Sequence, residues 1–344
     1  MSTQLEYVDL GTYLSLVREE MRQVLATRND GPDEFRAAML YAVGWADEQL
    51  RSRDTGGGKL LRPRLCLLAC GAAGGNPQRA IPAAAAVELL HNFTLVHDDI
   101  QDHSPTRRHL PTLWSLIGVP LAINAGDAMF AASHLVLTSL VDEGVPPLTV
   151  LRALEQFDIT ARRLCEGQHL DISFEQRFTV SSDEYLAMIE RKTGALMGLS
   201  CYLGALVAGE SEETVRLYQQ LGKVMGAGYQ IRDDLAGVWH EEASTGKRLL
   251  EDIYRRKKSY PAVRAFETAT GADATRLREI YANPAMEDSD AHWARDLMSR
   301  LGLQEEGRAR IQECVESGFR ALEASKASGP AAEQLRQFAR GLLS

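Results

Sequence analysis

The sequence predicts an all-α fold, a single-domain helical bundle, on three observations. Ala, Leu, Glu, Arg and Gln dominate the chain, and residues of this kind lose little freedom in a helix. No stretch shows the sustained alternation of β-branched residues that a sheet requires. The breaks between apolar segments are turns of ordinary length, so residues 1–344 read as one domain.

Turn signals bound each element in order. Helices are expected over 9–28 and 32–52, then over 61–73, between Gly56-Gly57-Gly58 and Gly74-Gly75-Asn76-Pro77. The next, 78–101, runs toward Ser104-Pro105; 112–117 and 120–142 precede Gly144-Val145-Pro146-Pro147, and 147–171 begins there. Two long apolar helices cover 182–208 and 211–237, and 259–268 and 273–282 lead to Asn283-Pro284. Helices over 287–301, 304–325 and 331–342 complete the chain. The segments between 78 and 237 are the longest and most apolar, as expected for a central bundle wrapped by shorter helices.

Bulk properties narrow the function. At 344 residues there is ample material for a large core, and 45% hydrophobic with 25% charged residues is ordinary globular composition. A net charge of −9 argues against general binding to nucleic acid or anionic membranes. The first residues show no basic start followed by an apolar core, so no secretory signal is expected, and the longest weakly polar run, Ala195 to Ala208, is too short to span a bilayer. Five scattered cysteines fit reduced thiols in a cytoplasmic protein, with Cys66 and Cys70 as small core residues rather than ligands.

The most informative stretch is His91-Asn-Phe-Thr-Leu-Val-His-Asp98-Asp99-Ile-Gln-Asp102, followed by Arg107-Arg108. Asp98 and Asp102 lie one helical turn apart on the face shared by His91 and Thr94. Carboxylates about 6 Å apart repel in a dry cleft unless cations bridge them, and hard Mg²⁺ takes oxygen ligands, waters and substrate phosphates. Two guanidiniums then suit phosphate oxygens. Taken alone, such an acidic helix end most often just faces water. A second apolar helix ending in Gln230-Ile-Arg-Asp233-Asp234-Leu-Ala-Gly237 makes the pattern harder to dismiss. Set across a bundle, two such helices would clamp one metal cluster from opposite walls.

Cations accompany the acids. Gly57-Gly58-Lys59-Leu60-Leu61-Arg62 is a glycine turn entering a helix, a setting in which backbone N–H groups meet anions. Lys192-Thr193-Gly194 interrupts a long apolar helix, Gln168 and Asp171 sit one turn apart on another, and a basic run holds Lys247 and Lys257. Charge runs usually form solvated faces. Here acids and cations alternate along greasy helices, which suits an apolar tail carrying a diphosphate head.

These motifs, in order over roughly residues 40 to 265, resemble the trans-isoprenyl diphosphate synthases, or polyprenyl synthetases. The resemblance implies the isoprenoid synthase fold, an all-helical bundle around a deep cavity, usually a homodimer, with three Mg²⁺ ions. It implies an enzyme that joins isopentenyl diphosphate head-to-tail to an allylic diphosphate. Residue by residue, Asp98, Asp102 and Asp233 match the magnesium ligands. Lys59, Arg62, His91 and Arg108 match positions holding isopentenyl diphosphate; Arg107, Lys192, Lys247 and Lys257 match those gripping the allylic diphosphate. Thr193 and Gln230, with Gln168 and Asp171 beside them, match polar groups lining the reaction centre.

Three positions depart from the family pattern. Gly237 stands where the second motif often ends in aspartate, leaving that wall to Asp233 and Asp234; Leu60 replaces a commonly basic residue, and His109 a common glycine. Phe93, five residues before Asp98 and so about 7.5 Å along the axis, resembles the aromatic that stops elongation at twenty carbons, which implies geranylgeranyl diphosphate as product. Two rivals stand beside this reading. A class I terpene cyclase uses one prenyl diphosphate and has no need of a second cationic set, and a non-catalytic subunit of a heteromeric synthase would explain Gly237 and Leu60.

Overall fold

The computed structural model describes residues 7–27, 31–53, 57–239, 250–283 and 285–344. The chain groups into two compact units. The first comprises Met1–Arg162, Leu196–Gly222 and Ala321–Phe338; the second comprises Arg163–Ala195, Lys223–Arg320 and Ala339–Ser344.

In the first unit, helices α1 (Leu10–Arg22), α2 (Asp33–Ala42), α3 (Leu61–Ala72), α4 (Ile81–Gln101), α5 (Leu113–Ile117) and α6 (Val119–Thr138) are joined by the start of α7 (Pro147–Glu175) and most of α9 (Ala195–Ala208). Helix α4 packs chiefly on α6, and also on α1 and α3. Its run Ala83 to Ala86 is wholly buried, because small side chains let neighbouring backbones approach. The contact of α9 with α3 is closer still: a Cβ on Gly204 would lie 2.2 Å from the Cys66 carbonyl oxygen. Cys66, Cys70 and Cys201 are buried free thiols, and burial pushes Cys70 and Cys201 up to about 12. Cys66 and Cys70 are core residues, as expected, and Cys201 joins them.

The second unit holds α8 (Ser182–Ile189), most of α10 (Glu212–Trp239), α11 (Glu251–Tyr254), α12 (Tyr260–Thr268), α13 (Gly271–Ala282), α14 (Asp288–Arg300) and most of α15 (Leu303–Ala324), with the end of α16 (Gly329–Leu343). Its core gathers Val238, Ile253, Ala265, Leu277, Ile280 and Leu297. A capping box between Ser181 and Glu184 opens α8 and satisfies two otherwise orphaned N–H groups.

Four sequence expectations are corrected. The helix expected over 32–52 stops at Ala42, because Gly44 turns to φ +82° and the Asp47 carboxylate accepts from the backbone of Gln49 and Arg51, which favours a turn. The helix over 182–208 is continuous but loosens into a π-turn at Glu190–Gly194. A two-stranded hairpin, Thr106–Arg107 with Leu110–Pro111, follows α4 where no strand was expected. Ala195–Ala208 is a buried helix as read, but among the described residues it is Val119–Val141 that is long and apolar enough to cross a membrane by length and composition, and less than half of it is buried.

Candidate active site

The site residues read from the sequence fall into two sets, one in each unit. In the first unit Asp98 and Asp99 occupy the last turn of α4 and Asp102 caps its carboxyl end, and consecutive residues there point about 100° apart. Asp98 is half-buried and Asp102 exposed, whereas Asp99 is only 6% exposed. Arg107 grips Asp99 with a fork: Nε donates to Oδ1 and Oδ2 at 2.9 and 3.1 Å, and Nη2 lies 2.7 Å from Oδ1. Burial raises the Asp99 carboxyl above its usual range, against the pull of Arg107. Asp99 thereby anchors the arginine that the sequence reading assigned to substrate. The hairpin turn that follows places Arg108 and His109 at φ +53° and +64°. This pairing of positive angles suits tight hairpins and favours glycine, so His109 occupies a backbone position that a glycine takes without strain.

His91 lies on α4 two turns before Asp98. Burial first, then the nearby Arg62, Arg107 and Arg108, hold its imidazole well below the ordinary value, so it is neutral at pH 7. One turn earlier the buried carboxyl of Glu88 is raised by burial and opposed chiefly by Arg62; nothing in the sequence flagged it. Lys59 is exposed and Arg62 half-buried at the start of α3. Leu60 takes the left-handed position before that helix, φ +50°. A Cβ on Gly58 would lie 3.5 Å from Arg108 Nη1, so the glycine turn and the second arginine are neighbours. Phe93 is half-buried and heads an aromatic column: ring centres lie 5.1 Å from Phe130, then 4.7 Å from Phe130 to His134 and 5.0 Å from His134 to Phe157.

In the second unit the π-turn carries Lys192 and Thr193. Two glycines make room for it. A Cβ on Gly167 of α7 would sit 2.5 Å from Lys192 N, and one on Gly226 of α10 would sit 2.6 Å from Gly194 Cα. Such turns often mark functional sites. Lys192 Nζ donates to Asp171, and Lys192 and Lys257 hold the Asp171 carboxyl below its usual range despite burial. From Thr193 a buried chain of bonds runs inward: Oγ1 donates to Gln230 Oε1 at 2.9 Å, and Gln230 Nε2 donates to Asp234 Oδ1 at 2.9 Å. Asp234 Oδ2 accepts from Tyr185 Oη at 2.7 Å and Tyr260 N at 2.8 Å.

Both oxygens of Asp234 are thus engaged in the interior, which corrects the reading of Asp234 as part of the metal wall. Asp233, half-buried, is the outward member of the pair. The ammonium of Lys257 is raised, first by Asp252 and then by Asp234, Asp171 and Asp233. Lys247 lies outside the described residues.

Among the described residues no three acidic, imidazole or thiolate groups gather tightly enough to hold an ion unaided. The outward acids come singly or in pairs, and all are oxygen donors. That donor set fits magnesium, which keeps several waters and takes substrate phosphates to complete its shell.

The family model for polyprenyl synthetase matches residues 45–298. The chain belongs to the polyprenyl synthetase family. Among related proteins, the geranylgeranyl diphosphate synthase of Mycobacterium tuberculosis is 37% identical over 91% of this chain and 86% of its own. A (2E,6E)-farnesyl diphosphate synthase of Mycobacterium bovis is 40% identical over 78% of this chain and 72% of its own. The crystal structure of a polyprenyl synthetase from Streptomyces coelicolor matches with a TM-score of 0.88 at 32% identity, over 97% of this chain and 98% of that one. A geranylgeranyl pyrophosphate synthase from Corynebacterium glutamicum, complexed with isoprenyl diphosphate and magnesium, matches with a TM-score of 0.81 at 25% identity over 98% of this chain and 99% of that one. The chain is therefore a trans-prenyltransferase with the all-α isoprenoid synthase fold, in a magnesium-dependent family that uses isoprenyl diphosphates.

The sequence reading missed Asp99, Glu88, Tyr185, Tyr260 and Asp252. Only Asp99 carried a visible signal, as the middle acid of its motif.

Proposed function

We propose that the protein condenses isopentenyl diphosphate head-to-tail with allylic diphosphates and releases geranylgeranyl diphosphate. The observation that carries this reading is the doubling of the cationic set. Arg62, Arg108 and the neutral His91 form one group in the first unit, with Lys59 next in sequence to Gly58, which adjoins Arg108; Lys192 and Lys257, beside their carboxylates, form another in the second. Two such groups suit two diphosphates, where a cyclase has only one to bind.

Lys59, Arg62, His91 and Arg108 hold the isopentenyl diphosphate, with neutral His91 donating a hydrogen bond. Arg107, aimed by Asp99, and Lys192, Lys247 and Lys257 hold the allylic diphosphate. Asp98, Asp102 and Asp233 would hold magnesium, three ions with substrate bound, and that cation supplies neutralising charge for the departing diphosphate. Lys192 and Lys257 stabilise the same charge from the protein side. The allylic C–O bond breaks, the isopentenyl double bond attacks the resulting carbocation at C1, and the released diphosphate takes the proton that restores the alkene. Thr193 and Gln230 line the reaction centre, their orientation set by Asp234; Gln168 and Asp171 lie beside them.

Phe93 limits product length at twenty carbons. Residues 1–344 act as one synthase domain, cytoplasmic and homodimeric; the dimer is supported by exposed apolar side chains on α6 and the start of α7, among them Leu121, Leu135, Leu148 and Leu151. The test is incubation of the purified protein, alone, with Mg²⁺, labelled isopentenyl diphosphate and each of the five-, ten- and fifteen-carbon allylic diphosphates. Labelled twenty-carbon product is expected. Cyclised product without label would establish the cyclase, and no turnover without a partner would establish the subunit.

A further inference from the structure

One cavity in the first unit contains none of the groups assigned above. It holds about 280 Å³ between α7, α9 and the opening turns of α10, near the lower end of small-molecule sites. Arg152, Glu155, Gln156 and Ile159 line it from α7, at the spacing that shares one helix face. Tyr202 of α9, with Glu212 and Arg216 of α10, completes the lining.

The walls hold one guanidinium still. Gln156 is 4% exposed. Its Nε2 turns to Thr160 Oγ1 at 3.4 Å, which leaves Oε1 to accept from Arg216 Nη1 at 3.1 Å. Gln219 Oε1 accepts from the same nitrogen at 3.0 Å, and Glu212 lies 2.7 Å from Nε. The guanidinium carbon lies 5.3 Å from the Tyr202 ring centre. An arginine carries five N–H donors, and those on Nη2 make no hydrogen bond among the described residues.

Three other groups are unmet. Tyr202 is only 3% exposed, yet its hydroxyl has no hydrogen-bond partner among the described residues. Such a group is costly to bury unless something meets it. Burial raises this phenol, and Glu212, Arg216, Arg152 and Glu155 all act on it, so four charges stand around one hydroxyl. Arg152 and Glu155 form no ion pair among the described residues, with each other or elsewhere.

We propose that this cavity is a second ligand site, for a small zwitterion of amino-acid type. Its carboxylate meets Arg152, the Arg216 Nη2 donors and the Tyr202 hydroxyl, and its ammonium meets Glu155. Guanidinium forks suit a carboxylate. The two arginines are already balanced by two glutamates, so a phosphate dianion would leave the cavity with net negative charge, whereas a zwitterion adds none.

The whole chain and its Arg152→Ala, Glu155→Gln and Tyr202→Phe variants are titrated, by saturation-transfer NMR, with each standard amino acid. Propionate and propylamine serve as one-ended controls, and inorganic phosphate as the rival anion. At least one amino acid is expected to bind saturably at millimolar concentration, and the controls are not. Each variant is expected to raise its dissociation constant about tenfold. Turnover of labelled isopentenyl diphosphate without amino acid should be unchanged in Arg152→Ala, whose side chain is exposed; lost turnover there would place the cavity in the transferase machinery, against the proposal. No amino-acid binding, or binding that the variants leave unaltered, overturns it. Phosphate bound in preference to every amino acid also overturns it. Should Tyr202→Phe not fold, the exposed pair Arg152→Ala and Glu155→Gln decides by the same criterion.

Discussion

Tyr185→Phe removes a single hydroxyl from the most enclosed part of the site, and its consequence can be worked out atom by atom. Asp234 is 2% exposed, and Tyr185 is 1% exposed. With the hydroxyl gone, Oδ2 keeps only the Tyr260 N–H, at 2.8 Å. A hydrogen bond to a charged group contributes about 1.5–3 kcal/mol, and the upper half applies where water cannot replace the donor. For a chain of 344 residues that corresponds to a melting temperature lower by roughly 3–4 °C.

The effect should travel. Gln230 must present its NH₂ to Asp234 and therefore its oxygen to Thr193, so the acid fixes which way the amide points. Thr193→Val removes the other end of the chain, a neutral bond of about 0.5–1.5 kcal/mol. Because both changes act on Gln230 and Asp234, the double variant should show a coupling energy of about 0.5 kcal/mol or more. Urea unfolding of the four proteins gives the cycle, and turnover of labelled isopentenyl diphosphate reports the orientation of Gln230. Energies that add to within about 0.3 kcal/mol, with turnover unchanged in Tyr185→Phe, would refute a connected chain.

Three further outcomes are expected. Phe93→Ala should lengthen the product, read by mass spectrometry of the dephosphorylated alcohols, with Phe130 at 5.1 Å as the next barrier; an unchanged product profile would remove Phe93 as the stop. The depressed His91 imidazole stays neutral in the folded protein while the unfolded chain takes a proton as pH falls through the ordinary imidazole value of 6.5. Stability should therefore decline below that pH until the folded group itself protonates, and His91→Gln should flatten this part of the acid profile in pH-dependent urea melts. Gly204→Ala would set a methyl 2.2 Å from the Cys66 carbonyl oxygen; the forced separation of α9 from α3 should cost about 1–3 kcal/mol or more in denaturant unfolding.

Much of the molecule was legible because its signals are local. A helix places residues four apart on one face whatever surrounds it, so Asp98 with Asp102 was readable from spacing alone. Most helix limits agree with the turn residues that bound them. The helix over 32–52 failed for an equally local reason, since Gly44 and the Asp47 side chain compete with helix for the backbone. The π-turn at Glu190–Gly194 was not legible: it depends on Gly167 and Gly226, which lie on other helices.

The sequence by itself determined the all-α class, the two acidic helix ends and their cations, because residue type and helical period suffice for these. Tertiary structure alone decided which acid of each adjacent pair turns inward. Asp99 is claimed by Arg107 and Asp234 by Tyr185, Gln230 and the Tyr260 backbone. It also decided that Gly237 makes way for Asp252. The physical reason is the same in each case: a carboxylate's role depends on the donors and space around it, and packing brings those from distant parts of the chain.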